Sequence, residues 1–250
     1  MVRRNFGQIV APFAVVQIPL AALAALGQWA AYTYWFPNTN LPETPSDILA
    51  VPEKLMYVLA LTGVVWMMTL SLGINSSIVA IRDVVTGSRR PLPEVLDPSF
   101  THLGPLVTVT VFLMALWFLA TVTAWTIVLP VLCLLLLVRF SFAVHSFALD
   151  TPSFSDSLRA SWNLTRGNAM RILGLGLLLL PVALLAVLVA SVFATAATAP
   201  ILILGSAREV MLLANAVSTV AVAVGMLPYM AFALTATTLL FINLRGQQNG

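Results

Sequence analysis

Six long apolar segments dominate this chain, and no stretch between them is long enough for a separate soluble domain. Each segment can supply the roughly 20 residues of α-helix needed to cross the hydrocarbon core of a bilayer. Because 60% of the residues are hydrophobic and only 8% are charged, a water-soluble fold would lack a polar surface. We therefore expect one all-α, polytopic membrane domain over residues 1–250. Its spans are predicted at about residues 8–34, 55–81, 106–128, 131–149, 172–197 and 210–244.

The basic residues lie mostly on one side of these segments. If the N-terminus is inside, nine of the 12 Lys and Arg residues fall on inner loops or tails, while only two fall on outer loops. Cytoplasmic loops of membrane proteins carry such an excess. The first segment is also longer than the apolar core of a cleavable signal peptide, so it is predicted to be a span. We expect three hairpins in the plasma (inner) membrane of a prokaryote, with both termini in the cytoplasm (N-in/C-in).

The inner loop before the fifth span has the pattern of a short amphipathic helix lying in the cytoplasmic interface. Its large apolar residues are four residues apart: Phe154, Leu158 and Trp162. Ser153 followed by Asp156 resembles a capping pair at the start of a helix, and Gly167 is a natural stop. A plain solvated loop is the alternative.

A similar sequence precedes the third span. Residues 91–100 can be aligned with residues 153–162, an alignment that pairs Ser99 with Ser161, and the N-terminal VRRNF resembles a truncated version. These matches predict three units, each an inner interfacial segment followed by a two-span hairpin. Chance similarity is the alternative, because prolines are expected to break the middle helix. The two prolines concerned are Pro93 and Pro98.

Reactive side chains are scarce in this sequence. All nine acidic residues lie at or beyond the ends of the spans, whereas proton relays need carboxylates inside the membrane. His102 and His145 do not form a zinc-binding motif, and there is no P-loop motif. The basic residues are not gathered into one patch, which argues against nucleic acid as a partner. The sequence therefore predicts no catalytic, cofactor or metal site, no enzyme activity, and the lipid bilayer as a partner.

Arg139 is the charge that needs an explanation, because it lies about eight residues into the fourth span, near mid-membrane. A charge at that depth usually faces a bundle interior, a polar cavity or a lipid phosphate. Two interpretations are open: Arg139 meets an anionic substrate or headgroup, or it is a structural arginine that bonds carbonyls or polar groups of neighbouring spans. His145, Trp162 and Arg166 complete the candidate functional residues, and for His145 alone we favour a structural role.

Small residues predict how the last two spans pack. Stripes of small side chains let helices approach closely, so we expect the fifth and sixth spans to contact each other, with a homo-oligomer contact as the rival use. The sixth segment is too long for one straight span, and Pro228 predicts a kink. In the second span, Asn75, Ser76 and Ser77 are expected to bond across helices. The small-residue stripes consist of Ala186, Ala190 and Ala194, and of Ala214, Ser218, Ala221 and Gly225.

The run FSDSLRASWNLTRGNAMRILGLGLLL, from Phe154 to Leu179, resembles the signature of a known membrane domain. That domain is found fused to some glycerophosphoryl diester phosphodiesterases and alone in many bacterial and archaeal proteins. The matching positions are Leu158, Ser161, Trp162, Leu164, Thr165 and Gly167. The end of the last span is also similar, although Asn243 stands where the family has an acidic residue. The resemblance implies a six-helix membrane domain. It does not imply phosphodiesterase activity, which belongs to a separate barrel domain that this sequence does not contain.

Three functions fit the sequence to different degrees. We favour a non-catalytic membrane module, meaning an anchor, a scaffold or a partner subunit of another membrane protein or of a second copy. The second is a permease or lipid-handling protein that uses Arg139 near an anionic group, which predicts a polar cavity around Arg139. The third is an intramembrane enzyme acting on lipids, which needs at least two convergent titratable groups; Arg139 and His145 are the nearest such pair.

Overall fold

The computed structural model describes residues 2–30, 53–88, 90–123, 128–150, 153–203 and 208–249, and its ordered elements there are all α-helices. In this part of the chain, six helical stretches are long and apolar enough to cross a bilayer. The all-α class and the number of spans are therefore confirmed. The end of the first predicted span, residues 31–34, lies outside the described residues. The spans are Asn5–Gly27, Gly63–Thr86, Leu103–Val122, Val128–Leu149, Ala169–Leu202 and Glu209–Gln248.

Ten helices make up the described part of the chain. In order they are α1 (Val2–Ala30), α2 (Glu53–Thr86), α3 (Leu92–Thr101), α4 (Leu103–Val122), α5 (Val128–Phe140), α6 (Ala143–Leu149), α7 (Phe154–Thr165), α8 (Ala169–Leu202), α9 (Arg208–Gly225) and α10 (Leu227–Asn249).

Helices that follow each other in the chain pack together as three pairs: α1 with α2, α4 with α5, and α8 with α9. α1 also packs against α9, which joins the first pair to the last. α2 is the central helix, because it contacts α1, α3, α4, α6 and α10. Most of the described polar side chains in the middle of α2, from Thr69 to Ser77, are consequently enclosed by other helices.

Most of the charged side chains that the structure describes lie at one end of the bundle, which we call the charged end. It holds α3, α7, the C-terminal parts of α2, α6 and α10, and the starts of α4 and α8. Two ion pairs join these parts: Asp83 of α2 with Arg90 just before α3, and Asp150 after α6 with Arg245 of α10. The first turn of α8 is tied in as well, since Arg171 donates a hydrogen bond to Gln247.

α3 and α7 begin at equivalent positions of the sequence alignment, after Pro91 and Ser153 respectively. They also bury equivalent residues, because Ser99 and Ser161 are both fully enclosed. The expectation that prolines break the middle helix is wrong. Pro93 lies in the first turn of α3, where a backbone N–H has no helical carbonyl to bond, so proline is tolerated there. At Pro98 the helix continues and loses one backbone hydrogen bond.

α7 confirms the predicted helix and excludes the solvated loop. Its stop is also confirmed, since Gly167 has φ of +84°, a conformation that suits glycine. The predicted capping pair is wrong in detail: Ser153 occupies the N-cap position, but its side chain makes no capping hydrogen bond. Its hydroxyl lies instead 3.4 Å from that of Ser155.

The fourth span differs from the prediction in two ways. It begins at Val128 rather than at about residue 131, and the third span already ends at Val122, so Pro130 lies inside α5 and not between the two spans. Proline is well tolerated in the first turn of a helix, which is where Pro130 lies. The span is also interrupted near its other end, where α5 stops at Phe140 and α6 starts at Ala143.

The close packing of the fifth and sixth spans is confirmed. A Cβ atom on Gly225 would come within 3.0 Å of the Cα atom of Ala190, so α8 and α9 touch through small residues inside the chain. Ala194, Ala214 and Ala221 are buried in this contact region. The predicted kink is also confirmed, because α9 ends at Gly225 and α10 starts next to Pro228.

Candidate functional site

The break between α5 and α6 is held by α7. The hydroxyl of Ser161 donates a hydrogen bond to the carbonyl of Arg139 at 2.9 Å and accepts one from the N–H of Phe142 at 3.2 Å. Thr165 donates a second hydrogen bond to the same carbonyl at 3.2 Å. The break exposes backbone groups that need partners in an apolar environment. α7 supplies them, so it is an integral part of the bundle.

The side chain of Arg139 lies against Trp162, with the guanidinium carbon 5.1 Å from the ring centroid. This is the geometry of a cation–π contact. Trp162 is 42% exposed, so it lies between Arg139 and the surroundings of the bundle. The Nη1 atom of Arg139 is buried and has no hydrogen-bond partner among the described residues. Its donors therefore have no acceptor within this part of the chain.

The depth of Arg139 follows from its neighbours. Phe142, just beyond it, packs with Ile172 in the first turn of α8 and with Leu244 near the end of α10. Arg139 therefore lies toward the charged end of the bundle and not halfway along α8. The sequence alone placed Arg139 deeper, near mid-membrane, because its residues were counted along an unbroken helix. A residue count cannot detect the break between α5 and α6.

His145 is enclosed by aromatic rings. Its ring stacks on Phe241 with centroids 5.8 Å apart and meets Phe142 edge-on at 5.5 Å. Its Nε2 atom lies 3.2 Å from the hydroxyl of Thr237. These contacts tie α6 to α10, which agrees with the structural role favoured for this residue. Arg166 is exposed at the C-terminus of α7. The structure brings Arg139 and Trp162 together, and no contact described here joins Arg166 to them.

A second polar region lies where α2 meets α3, and the sequence revealed only part of it. Asn75 donates a 2.7 Å hydrogen bond to Ser99, and the hydroxyl of Ser76 lies 2.9 Å from the same Ser99 hydroxyl. These bonds confirm the cross-helix role predicted for Asn75 and Ser76. The prediction for Ser77 is not met, because its hydroxyl has no partner among the described residues.

Six buried side chains, which we call the polar core, each carry a nitrogen or oxygen atom with no hydrogen-bond partner in the described part of the chain. None is more than 6% exposed. An unpaired buried polar group costs about 1–3 kcal/mol, so the set would cost an amount comparable to the whole stability of a typical domain. The polar core consists of Gln17, Asn75, Ser77, His145, Ser146 and Thr238.

Sequence reasoning missed Gln17, Ser146 and Thr238. The available signal was that each is a polar residue within an apolar run. That signal is weak, because threonine and serine in a membrane helix usually bond the carbonyl one turn back, as Thr235 does with Ala231. Only the packing of α1, α6 and α10 shows that these particular groups are enclosed without such a bond.

A cavity of about 210 Å³ lies at the charged end between α1, α2 and α3. The ion pair of Asp83 and Arg90 forms part of its wall, with two hydrogen bonds of 2.7 Å. The hydrogen bond to Asp83 raises the pKa of the Arg90 guanidinium above its usual value, so the guanidinium stays charged. The cavity is separate from Arg139, because none of its lining residues belongs to α5, α6 or α7.

No family model, curated protein or solved structure matches this chain. The resemblance of residues 154–179 to a phosphodiesterase-associated membrane domain therefore stays a prediction. Among the described residues, no group of three or more His, Cys, Asp or Glu side chains is placed to hold a metal ion.

Proposed function

We propose that this chain is a non-catalytic integral membrane module that serves as an anchor, scaffold or partner subunit in the plasma membrane of a prokaryote. We further propose that the charged end faces the cytoplasm with both termini. The biased distribution of basic residues supports this orientation. The resemblance to a stand-alone membrane domain supports the same function, although Asn243 removes any role that depends on an acid at that position.

One observation carries the proposal: the outward face of α8. This helix is 34 residues long, and large apolar side chains on it are exposed along most of its length. Leu184 and Leu188 are 64% and 63% exposed, and on the same face lie the smaller Ser191 and Thr195. A face that combines large apolar and small residues suits contact with another membrane helix. The polar side chains at the α5–α6 break, by contrast, join helices of this chain.

A photo-crosslinking amino acid at position 188, in native membranes, tests this function. The proposal predicts a discrete protein adduct, either with another membrane protein or with a second copy of the chain. The matched control is position 111 on α4, where Val111 is also exposed but outside the α8 face. Equal adducts at both positions, or lipid adducts alone at position 188, would contradict the partner-subunit role.

A lipid-handling role is the second candidate, because one observation favours it. The Nη1 atom of Arg139 has donors without an acceptor among the described residues, beside a tryptophan that is partly exposed. Arginine and tryptophan together suit the headgroup region, where a phosphate can accept those hydrogen bonds. The group that Arg139 would bind is the phosphate ester of an amphiphilic lipid.

Native mass spectrometry of the protein extracted with phosphatidylglycerol or phosphatidylethanolamine tests the lipid-handling role. Arg139→Gln is expected to lower the bound phosphatidylglycerol severalfold, whereas Arg166→Gln, which changes an exposed arginine nearby, leaves it nearly unchanged. If both variants keep the lipid equally well, Arg139 is a structural arginine. The crosslinking result at position 188 does not depend on this outcome.

A further inference from the structure

The cavity between α1, α2 and α3 has room for a small ligand. Its volume of about 210 Å³ exceeds the roughly 150 Å³ of an apolar cavity that holds a benzene molecule. Gln8, Ser88 and Arg90 belong to its wall and are exposed, so a ligand can enter from the surroundings of the bundle. The cavity lies at the charged end, where the headgroups of a bilayer meet the ends of the spans.

The wall of this cavity combines an apolar surface with one charged pair. Sites with a mostly apolar lining and a few convergent polar groups are typical of small-molecule binding. The charged pair is Asp83 with Arg90. The apolar part consists of Ala11, Pro12, Ala80, Val84, Leu92 and Val95. A ligand that is part apolar and part charged therefore matches the lining.

Arg90 can bind an anionic group without leaving Asp83. A guanidinium has five N–H donors, and two of them bond the Asp83 carboxylate. The others make no further hydrogen bond to the residues that the structure describes. The side chain of Arg90 is 34% exposed, so these donors are accessible. Phosphate oxygens are strong acceptors for a guanidinium.

The local charge disfavours a ligand that carries only a negative charge. The pKa of Arg90 is raised by the hydrogen bond to Asp83 and also by the negative charge of Glu94, so both carboxylates act on this one guanidinium. A purely anionic group would meet these two carboxylates as well as Arg90. A carboxylate offers about four lone pairs, and Arg90 uses only two of those of Asp83. The remaining lone pairs can accept hydrogen bonds from an ammonium group.

We propose that this cavity binds the headgroup of a zwitterionic phospholipid with a primary ammonium group, such as phosphatidylethanolamine. The phosphate accepts hydrogen bonds from Arg90, the ammonium donates to Asp83, and the apolar wall contacts the glycerol and the start of the acyl chains. None of the lining residues belongs to α5, α6, α7 or α8. Lipid binding here is therefore independent of the functions proposed for Arg139 and for the outward face of α8.

Gly7→Leu tests the site, because Gly7 lines the cavity and a Cβ atom there meets no atom within 4 Å. The new side chain takes up ligand space without displacing the protein. In native mass spectrometry of the delipidated protein, it is expected to weaken phosphatidylethanolamine binding severalfold and phosphatidylglycerol binding much less. Unchanged binding of phosphatidylethanolamine would overturn the proposal. An equal loss of both lipids would overturn the preference for a zwitterion.

Gly104→Leu is the matched control, since Gly104 is also exposed at the charged end and an added Cβ atom there meets no atom within 4 Å, but it does not line the cavity. This variant should bind phosphatidylethanolamine like the unaltered protein, and an equal loss would contradict the assignment to the cavity. Should Gly7→Leu fail to fold, Ala11→Leu, one turn further along the same wall, replaces it.

The source of the zwitterion is tested by competition with free O-phosphoethanolamine, which has the same charged groups without acyl chains. The apolar wall predicts that the lipid binds at least severalfold more tightly. Displacement of the lipid by an equal concentration of free O-phosphoethanolamine would overturn the assignment to a lipid.

The role of Arg90 is tested by Arg90→Gln, which is expected to weaken phosphatidylethanolamine binding severalfold. Arg90→Lys keeps a positive charge with N–H donors and should retain more of the lipid than Arg90→Gln does. Arg82→Gln is the control, because Arg82 is exposed at the same end of α2 but does not line the cavity. Equal lipid binding by Arg90→Gln and Arg82→Gln would contradict the contact between Arg90 and the phosphate.

Discussion

The hydroxyl of Ser161 on α7 donates a hydrogen bond to the main-chain carbonyl of Arg139 at 2.9 Å, across 22 residues of sequence. The same oxygen accepts the N–H of Phe142, so one side chain bonds to both sides of the break in the fourth span. An amphipathic loop helix is thereby joined to the end of a membrane helix. The Trp162–Arg139 contact is formed one residue further on the same helix.

Ser161→Ala is expected to destabilise the protein by about 1–3 kcal/mol, because it leaves a buried N–H without its partner and a carbonyl with one bond fewer. Thermal unfolding in detergent or nanodiscs measures the loss. Ser155→Ala is the control on the same helix, since Ser155 is exposed, and alanine there is neutral or slightly stabilising. Similar melting temperatures for the two variants would show that the break does not depend on Ser161.

The helix α7 itself was predictable, because its apolar residues recur at four-residue spacing and Gly167 ends it. Its packing was not. The stripe of Phe154, Leu158 and Trp162 suggests that these residues form the buried side, whereas the fully buried residues include Ser157 and Ser161. Small hydroxyl residues have no strong pattern in a sequence. Their burial depends on a break in another helix, and nothing local signals that break.

Gly225→Ala is expected to destabilise the bundle by about 1–3 kcal/mol, because the new Cβ atom would lie 3.0 Å from the backbone of Ala190 and push α8 and α9 apart. The control is Gly176→Ala on α8, where the added Cβ meets no atom within 4 Å. That change should be neutral or stabilise by about 0.5–1 kcal/mol, since alanine favours helix over glycine. Equal effects at both positions would argue against close packing of α8 on α9.

Arg90→Lys is expected to weaken the link between α2 and α3, because lysine cannot make the paired hydrogen bonds that Arg90 donates to Asp83. Arg90 is about one-third exposed, so solvent limits the loss to about 1 kcal/mol. Arg82→Lys, one residue before Asp83 and exposed, should change stability by less than about 0.5 kcal/mol. A double-mutant cycle with Asp83→Asn should give a coupling that declines with added salt.

The polar core shows a different limit of sequence reasoning. Asn75 and Ser76 were identifiable because adjacent polar residues interrupt an apolar run, and the bonds to Ser99 follow that expectation. Gln17 is a single polar residue in α1, and Thr238 is one of three threonines close together in α10, far away in the sequence. Whether such a residue faces lipid, a neighbour or the interior is decided by the rotation of its helix, which three-dimensional packing sets.

The orientation of the six spans is the central claim, and thiol labelling of intact cells tests it most directly. Cys133 is the only cysteine and is buried, so Cys133→Ser gives a background in which single cysteines can be placed. One is placed at Thr39, between the first two spans, and another at the exposed Ser155 of the charged end. A membrane-impermeant maleimide should label Thr39→Cys in intact spheroplasts and Ser155→Cys only after lysis. Labelling of Ser155→Cys before lysis, with Thr39→Cys protected, would contradict the proposed topology.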